Sequence, residues 1–198
     1  MKRLSFILCL AAALLALGAC SPWTARERQI ISQSDSVMYV TVMPADSAIL
    51  RTPSTDFPKA AIGSPEMERL VSFMLRTVTD PSQDGVGIAA PQVGINRCLV
   101  CVQRFDKPGE PFECYANIHI DSLSGPVVRG PEGCLSVPGL RGIVPRRSTA
   151  AVSYTDPMSG ERSSEVIGGF TAIIFQHECD HLDGVLYTDR ADSIFVTP

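Results

Sequence analysis

Apolar positions change their period along this chain, and the changes mark its elements. After a basic start at Met1-Lys2-Arg3, Leu4 to Leu17 is almost wholly apolar. Ser21 to Ser36 is polar with no apolar period, so it reads as a flexible tether spanning 21–36. Val37 to Val42 is β-prone and opens a domain over 37–198. Behind Ser64-Pro65, an N-cap followed by proline at the first helical position, Met67, Leu70, Val71, Met74 and Val78 fall at helical spacing. Cys98 to Val102 reads as a buried strand, and Phe112 to Ile120 and Ala150 to Tyr154 as further strands. Ser124-Gly125-Pro126 and Asp156 to Gly160 carry turn chemistry. Phe170, Ile173 and Ile174 then share a helical face with His177 and His181, and Gly184 suits a helix stop. Strands early and in the middle, with the helices segregated, predict an α+β fold rather than alternating βαβ units.

Bulk properties narrow the classes of function. The 198 residues suffice for one domain with a real core, and a net charge of −4 argues against nucleic acid as a partner. Seven cysteines are too few and too scattered for a disulfide scaffold. Leu4 to Leu17 falls short of the roughly 20 apolar residues that a membrane-spanning helix needs.

Candidate chemistry lies in three stretches. Gln176-His177-Glu178-Cys179-Asp180-His181 contains His-Glu-x-x-His. Histidines four apart project from one helix face and can share a metal ion, with Glu178 beside them as a base. The same pattern also fits a buried helix with two satisfied histidines. Gly85 to Gly94 is glycine-rich, almost uncharged and lacks a phosphate-loop ending. It fits either a tight turn or a close approach of backbone to another group. Glu132-Gly133-Cys134-Leu135-Ser136 offers Cys134 as a reactive thiolate or as a small buried hydrophobe. On a strand Cys98 and Cys101 point to opposite faces, which disfavours a redox or zinc pair and leaves both with core roles.

In this order, Gly85 to Gln92, Glu132 to Ser136 and Gln176 to His181 resemble the three signature motifs of peptide deformylases, and Leu50-Arg51-Thr52-Pro53 resembles that family's N-terminal segment. The resemblance implies antiparallel sheets around a central metal-binding helix. It also implies hydrolytic removal of formyl from N-formylmethionyl peptides, with release of formate. It adds Cys134 to His177 and His181 as the ligands of one divalent ion. Fe(II) is expected natively, and Zn(II) or Ni(II) can take its place. Glu178 is implied as the proton shuttle, with the Gln92 amide and the Leu135 N–H as donors to the oxyanion. Gly87 is implied to align the substrate chain, Val86, Leu135 and Ile173 to line an apolar pocket, and Arg141 to stand near the substrate's exit path. Glu132 and Asp180 are implied as orienting partners. The chain departs from the family at Ile88, Asn117-Ile118 and Pro131, and little follows the metal helix, so docking to the ribosome is not expected.

Leu17-Gly18-Ala19-Cys20 resembles a bacterial lipobox, in which the cysteine becomes the lipidated first residue. It implies a signal over 1–20 and a membrane anchor at Cys20, with the domain facing the periplasm or the cell exterior. Translation from Met38 would instead make a cytoplasmic protein. Other readings of the whole chain are an exported metalloamidase acting on other small N-acyl substrates, or a non-catalytic binding lipoprotein of the same fold.

Overall fold

A computed structural model describes residues 21–34, 36–83 and 85–196. The apolar run and the lipobox through Cys20 lie outside them. The helices are α1 (Ala25–Gln33), α2 (Ser47–Leu50), α3 (Pro65–Val78), α4 (Gly169–Leu182) and α5 (Tyr187–Arg190). The strands are β1 (Gly87–Ala89), β2 (Leu99–Gln103), β3 (Phe112–Cys134), β4 (Val137–Thr155), β5 (Arg162–Gly168) and β6 (Ser193–Val196). Strands β1 to β5 pair antiparallel in sequence order, and β6 pairs with β4. The expected α+β fold, an antiparallel sheet around the histidine-bearing helix, is what forms.

Helix α3 starts where Ser64 accepts a hydrogen bond from the Met67 N–H, and Met67, Leu70, Met74 and Val78 are fully buried. They form one core with Ile88, Leu99 and Cys101 on one side of the sheet. A second core holds α4 against the other side through Ala172, Ile174 and Phe175, packed on Val100, Val102, Ala150 and Val152. Cys98 belongs to this second core and Cys101 to the first, so the two do point to opposite faces.

Four expectations change. The first is the tether, because residues 25–33 are helical and docked. Thr24 and Glu27 form a capping box, Trp23 and Ile31 are 2% exposed, and Glu27 pairs with Arg97 at 2.6 Å. Two buried apolar side chains are too few to show a period, but Thr-x-x-Glu was a legible start signal. The second is the β-prone stretch from Val37 to Val42, which joins no sheet. Its backbone bonds go to scattered partners, with the Met38 N–H on Thr77 Oγ1, the Thr41 N–H on the Gln92 carbonyl and, just beyond, the Met43 N–H on the Ser136 carbonyl. It is a strap that ties α3 to two segments of the site.

Third, Ser124-Gly125-Pro126 does not turn the chain. It is a bulge within β3, opposite Ser148, with Gly125 at φ +74°. A long antiparallel partner overrides local turn chemistry there. The true β3–β4 turn is the two residues Leu135 and Ser136.

Fourth, Cys101 is not simply a core residue. It forms a disulfide with Cys114 across β2 and β3, where the two are direct register partners. Cross-strand pairing brings together cysteines that sequence spacing does not connect. The bridge spans a separation of 13 residues. Closing a loop of that size stabilises by about 3 kcal/mol, so reduction, or replacement of both cysteines by alanine, is expected to lower the melting temperature by roughly 6–12 °C. Thermal unfolding with and without reductant measures it, and an unchanged midpoint refutes it.

Candidate active site

Two elements deliver the candidate ligands. Cys134 is the last residue of β3, held in place by the tight turn that follows. His177 and His181 lie one turn apart on α4, with ring centroids 5.2 Å apart. The ligand atoms of Cys134, His177 and His181 all lie within 4.8 Å of one another. Cys134 Sγ is 3.1 Å from His181 Nε2. The Nδ1 of His177 is occupied by Glu132 Oε2 at 2.8 Å, which leaves its Nε2 for the site. Burial would raise the Cys134 thiol, but the His181 and His177 rings outweigh it and hold it well below its usual value. The thiolate, the form that ligates, is thus the stable one. A thiolate and two imidazoles with a fourth side open to a cleft fit a catalytic metal ion, whereas structural zinc sites are closed by four protein ligands.

Glu178 follows His177 and is 4% exposed. Its Oε2 is buried without a protein hydrogen-bond partner. Burial, partly opposed by His177 and His181, pushes its carboxyl up to about 7. Gly87 on β1 faces it so closely that a Cβ there would stand 2.4 Å from Glu178 Oε1. The Gly85 to Gly94 stretch therefore contains both features that were open: a close backbone approach at Gly87, and a 3₁₀ turn over Ala90–Val93 that ends at Gly94 with φ +82°.

That 3₁₀ turn aims Gln92. Its Oε1 accepts the Ala89 N–H at 2.8 Å, which orients the amide. Its Nε2 then lies 3.2 Å from Ser136 Oγ and 3.5 Å from Cys134 Sγ. Arg146 binds Glu132 through Nε at 2.8 Å and Nη2 at 3.0 Å, and also binds Asp180. Asp180 is gripped again by Arg190, in two bonds of 2.7 Å. The guanidinium and His177 together hold the Glu132 carboxyl down at about 2 despite its burial. Gln176 locks the helix to β4: its Nε2 donates to the Arg147 carbonyl at 2.7 Å and its Oε1 accepts the Arg147 N–H at 3.1 Å.

A cleft of 410 Å³ opens onto these groups. Val86, Leu135, Ile173 and Arg141 all line it, as do Gly87 and Gln92.

The profile of the polypeptide deformylase family matches residues 39–195, most of the chain. The peptide deformylase of Leptospira biflexa is 39% identical over 159 residues, covering 77% of this chain and 87% of the relative. Peptide deformylase 2 of Bordetella bronchiseptica is also 39% identical, over 160 residues, covering 78% and 88%. The class I type b peptide deformylase of Acinetobacter baumannii, solved bound to Met-Ala-Ser, superposes with a TM-score of 0.71. It is 34% identical, and the match covers 79% of this chain and 99% of that one. The chain belongs to the peptide deformylase family. It is a metal-dependent hydrolase that removes the formyl group from N-formylmethionyl peptides.

Of the residues taken from the deformylase resemblance, Cys134, His177 and Glu178 also line this cleft and His181 touches Cys134, whereas Asp180 and Leu50-Arg51-Thr52-Pro53 do not line it. Phe170, expected on the inward face of the helix, does not face inward. It is 53% exposed at the rim, packed on Phe105 with centroids 5.2 Å apart. The helix begins there, beyond the cover of the sheet. Sequence reasoning missed Ser136 and Arg146. Ser136 lay inside a quoted motif but carried no distinguishing chemistry, and Arg146 had no signal at all, since only the fold brings β4 beside Glu132. Glu132→Gln keeps the shape but removes the charge that fixes the His177 ring. It is expected to weaken metal affinity about tenfold while leaving the fold intact. Competition with a chelator measures this, and an unchanged affinity refutes the orienting role.

Proposed function

We propose that Cys134, His177 and His181 hold one divalent ion, natively Fe(II) as the family resemblance implies. The same donors suit Zn(II) or Ni(II). When bound, the ion acts as a Lewis acid that polarises the formyl carbonyl and makes water more acidic. The remaining steps fall to this chain's own residues. Glu178 takes a proton from the attacking water at Oε2, the buried oxygen without a protein partner. The water oxygen bonds to the formyl carbon, and Gln92 Nε2 and the Leu135 N–H donate to the developing oxyanion. The carbon–nitrogen bond breaks as Glu178 passes the proton to the leaving amine, giving formate and a free N-terminus.

Strand β1 pairs only with β2 among the described strands, so at Gly87 its other edge is free to take an extended peptide as an added strand. Val86, Leu135 and Ile173 would receive the methionine side chain, with Phe170 at the mouth and Arg141 beside the outgoing chain. The single observation that carries this reading is the unpartnered Glu178 oxygen beside the three-ligand cluster. Formate release by anaerobically purified, Fe(II)-loaded protein tests it, with formyl-Met and acetyl-Met peptides compared. Equal turnover of both would favour a broader N-acyl amidase.

The location we propose is a membrane-anchored one: lipidation at Cys20, with the domain facing the periplasm or the cell exterior. Two observations support it. The Cys101–Cys114 disulfide suits an oxidising compartment. A start at Met38 would delete α1 together with buried Trp23 and the Glu27 partner of Arg97. Intact-mass analysis of the native N-terminus with cell fractionation tests this. A soluble cytoplasmic protein beginning at Met38 would overturn it.

A further inference from the structure

The segment between the lipobox cysteine and the domain is too short and too well packed to be a leash. Trp23 is 2% exposed; its ring packs on Phe57 with centroids 5.2 Å apart, and its Nε1 donates to Ser64 Oγ at 3.1 Å. The chain is fixed again at Glu27 by Arg97 and at Ile31 in the core. Only Ser21 and Pro22 separate Cys20 from Trp23. Three residues span at most about 11 Å. The Trp23 N–H bonds back to Ser21 Oγ at 3.3 Å, and proline stiffens the remainder.

Charged side chains of both signs surround this attachment point. Arg26 and Arg28 are exposed on α1, and Arg28 Nη1 binds the Trp23 carbonyl. Lys59 is exposed two residues beyond Phe57. Among the described residues none of these three is in an ion pair. Carboxylates stand here as well: Asp56 is exposed beside Phe57, and Glu66 and Glu68 lie on the first turn of α3, just after Ser64.

We propose that the surface around Trp23, with Arg26, Arg28 and Lys59, lies against the leaflet that carries the acyl anchor. The domain is held in one orientation at the membrane instead of swinging on a tether. This rests on the lipid anchor at Cys20 proposed above. The acyl chains supply attachment, and the three-residue link, fixed at Trp23, sets both the distance and the face.

Trp23 is the only tryptophan in the chain, so it reports its own distance from the membrane. Lipidated full-length protein is incorporated into vesicles of phosphatidylethanolamine and phosphatidylglycerol doped with a dansyl-headgroup lipid. Energy transfer from Trp23 is compared with that of a variant carrying a Gly/Ser spacer of about 30 residues after Ser21, whose coil spans roughly 30 Å. Formate release confirms that the variant is folded, since the spacer lies outside the packed segment. Transfer at least twofold lower in the spacer variant is the expected result. Equal transfer, with both proteins floating with the vesicles, overturns the clamped orientation and leaves the anchor standing. Failure of the native protein to float overturns the anchor and the orientation together.

Discussion

Glu178→Gln is expected to retain its full complement of metal and to lose about 10³–10⁴ in kcat/KM. The amide is nearly isosteric with the carboxylate, and none of the three candidate ligands changes. What is lost is the group that takes a proton from water and gives it to the amine. The pH profile should change with it. Only the ionised carboxylate can accept the proton, so native kcat/KM falls as pH drops through the Glu178 pKa. Burial places that pKa at about 7 before a cation is bound. A bound divalent ion favours the ionised form and moves this acidic limb lower. The variant should lose the limb as well as the rate. Metal analysis, steady-state formate release and a pH profile on one preparation check all of this. A variant within tenfold of native activity would remove Glu178 from its role.

Gly87→Ala should cost about 10² in kcat/KM, although it deletes nothing. Its new methyl would meet Glu178 Oε1 at 2.4 Å, the Glu178 carboxyl carbon at 2.9 Å and Ile174 Cγ2 at 2.9 Å. No real Cβ tolerates such distances, so either β1 or the catalytic carboxylate must move. A displacement near 1 Å at the reacting groups is worth a hundredfold. Because the same strand is proposed to align the peptide, KM should rise as kcat falls. Gly85, also in the cleft wall, has less to fear: a Cβ there would meet Val78 Cγ2 at 2.9 Å, the Val78 carbonyl oxygen at 3.3 Å and Leu135 Cδ1 at 3.5 Å, none of them a reacting group. Gly85→Ala should therefore lose less. Equal losses, or native kinetics for Gly87→Ala, would mean that the close approach to Glu178 is not what the glycine serves.

The parts legible in the chain itself were those whose signal is local. Helix α3 announced itself through Ser64-Pro65 and a 3.6-residue apolar period, because a helix buries one face and caps its own end. His177, Glu178 and His181 were readable for the same reason, since four-residue spacing on a helix places two rings side by side whatever surrounds them. Cys134 as a ligand, Gln92 as a donor and Gly87 as the aligning residue entered only through the resemblance of three ordered motifs.

What the tertiary structure alone decided are relations between distant segments. It made Val37 to Val42 a strap rather than a strand, because its N–H groups found Thr77, Gln92 and Ser136 instead of a neighbouring ladder. It turned Ser124-Gly125-Pro126 into a bulge, since β4 continues past it as a partner. It joined Cys101 to Cys114 through strand register, and it placed Arg146 between Glu132 and Asp180, which are 48 residues apart in the chain. It also folded the supposed tether onto Arg97 and Phe57. Periodicity and capping are properties of a few consecutive residues, so the amino-acid sequence determined them by itself. Hydrogen-bond partners, charge pairs and disulfides depend on which distant residues the folded sheet brings within about 3 Å, and no window of the chain contains that distance.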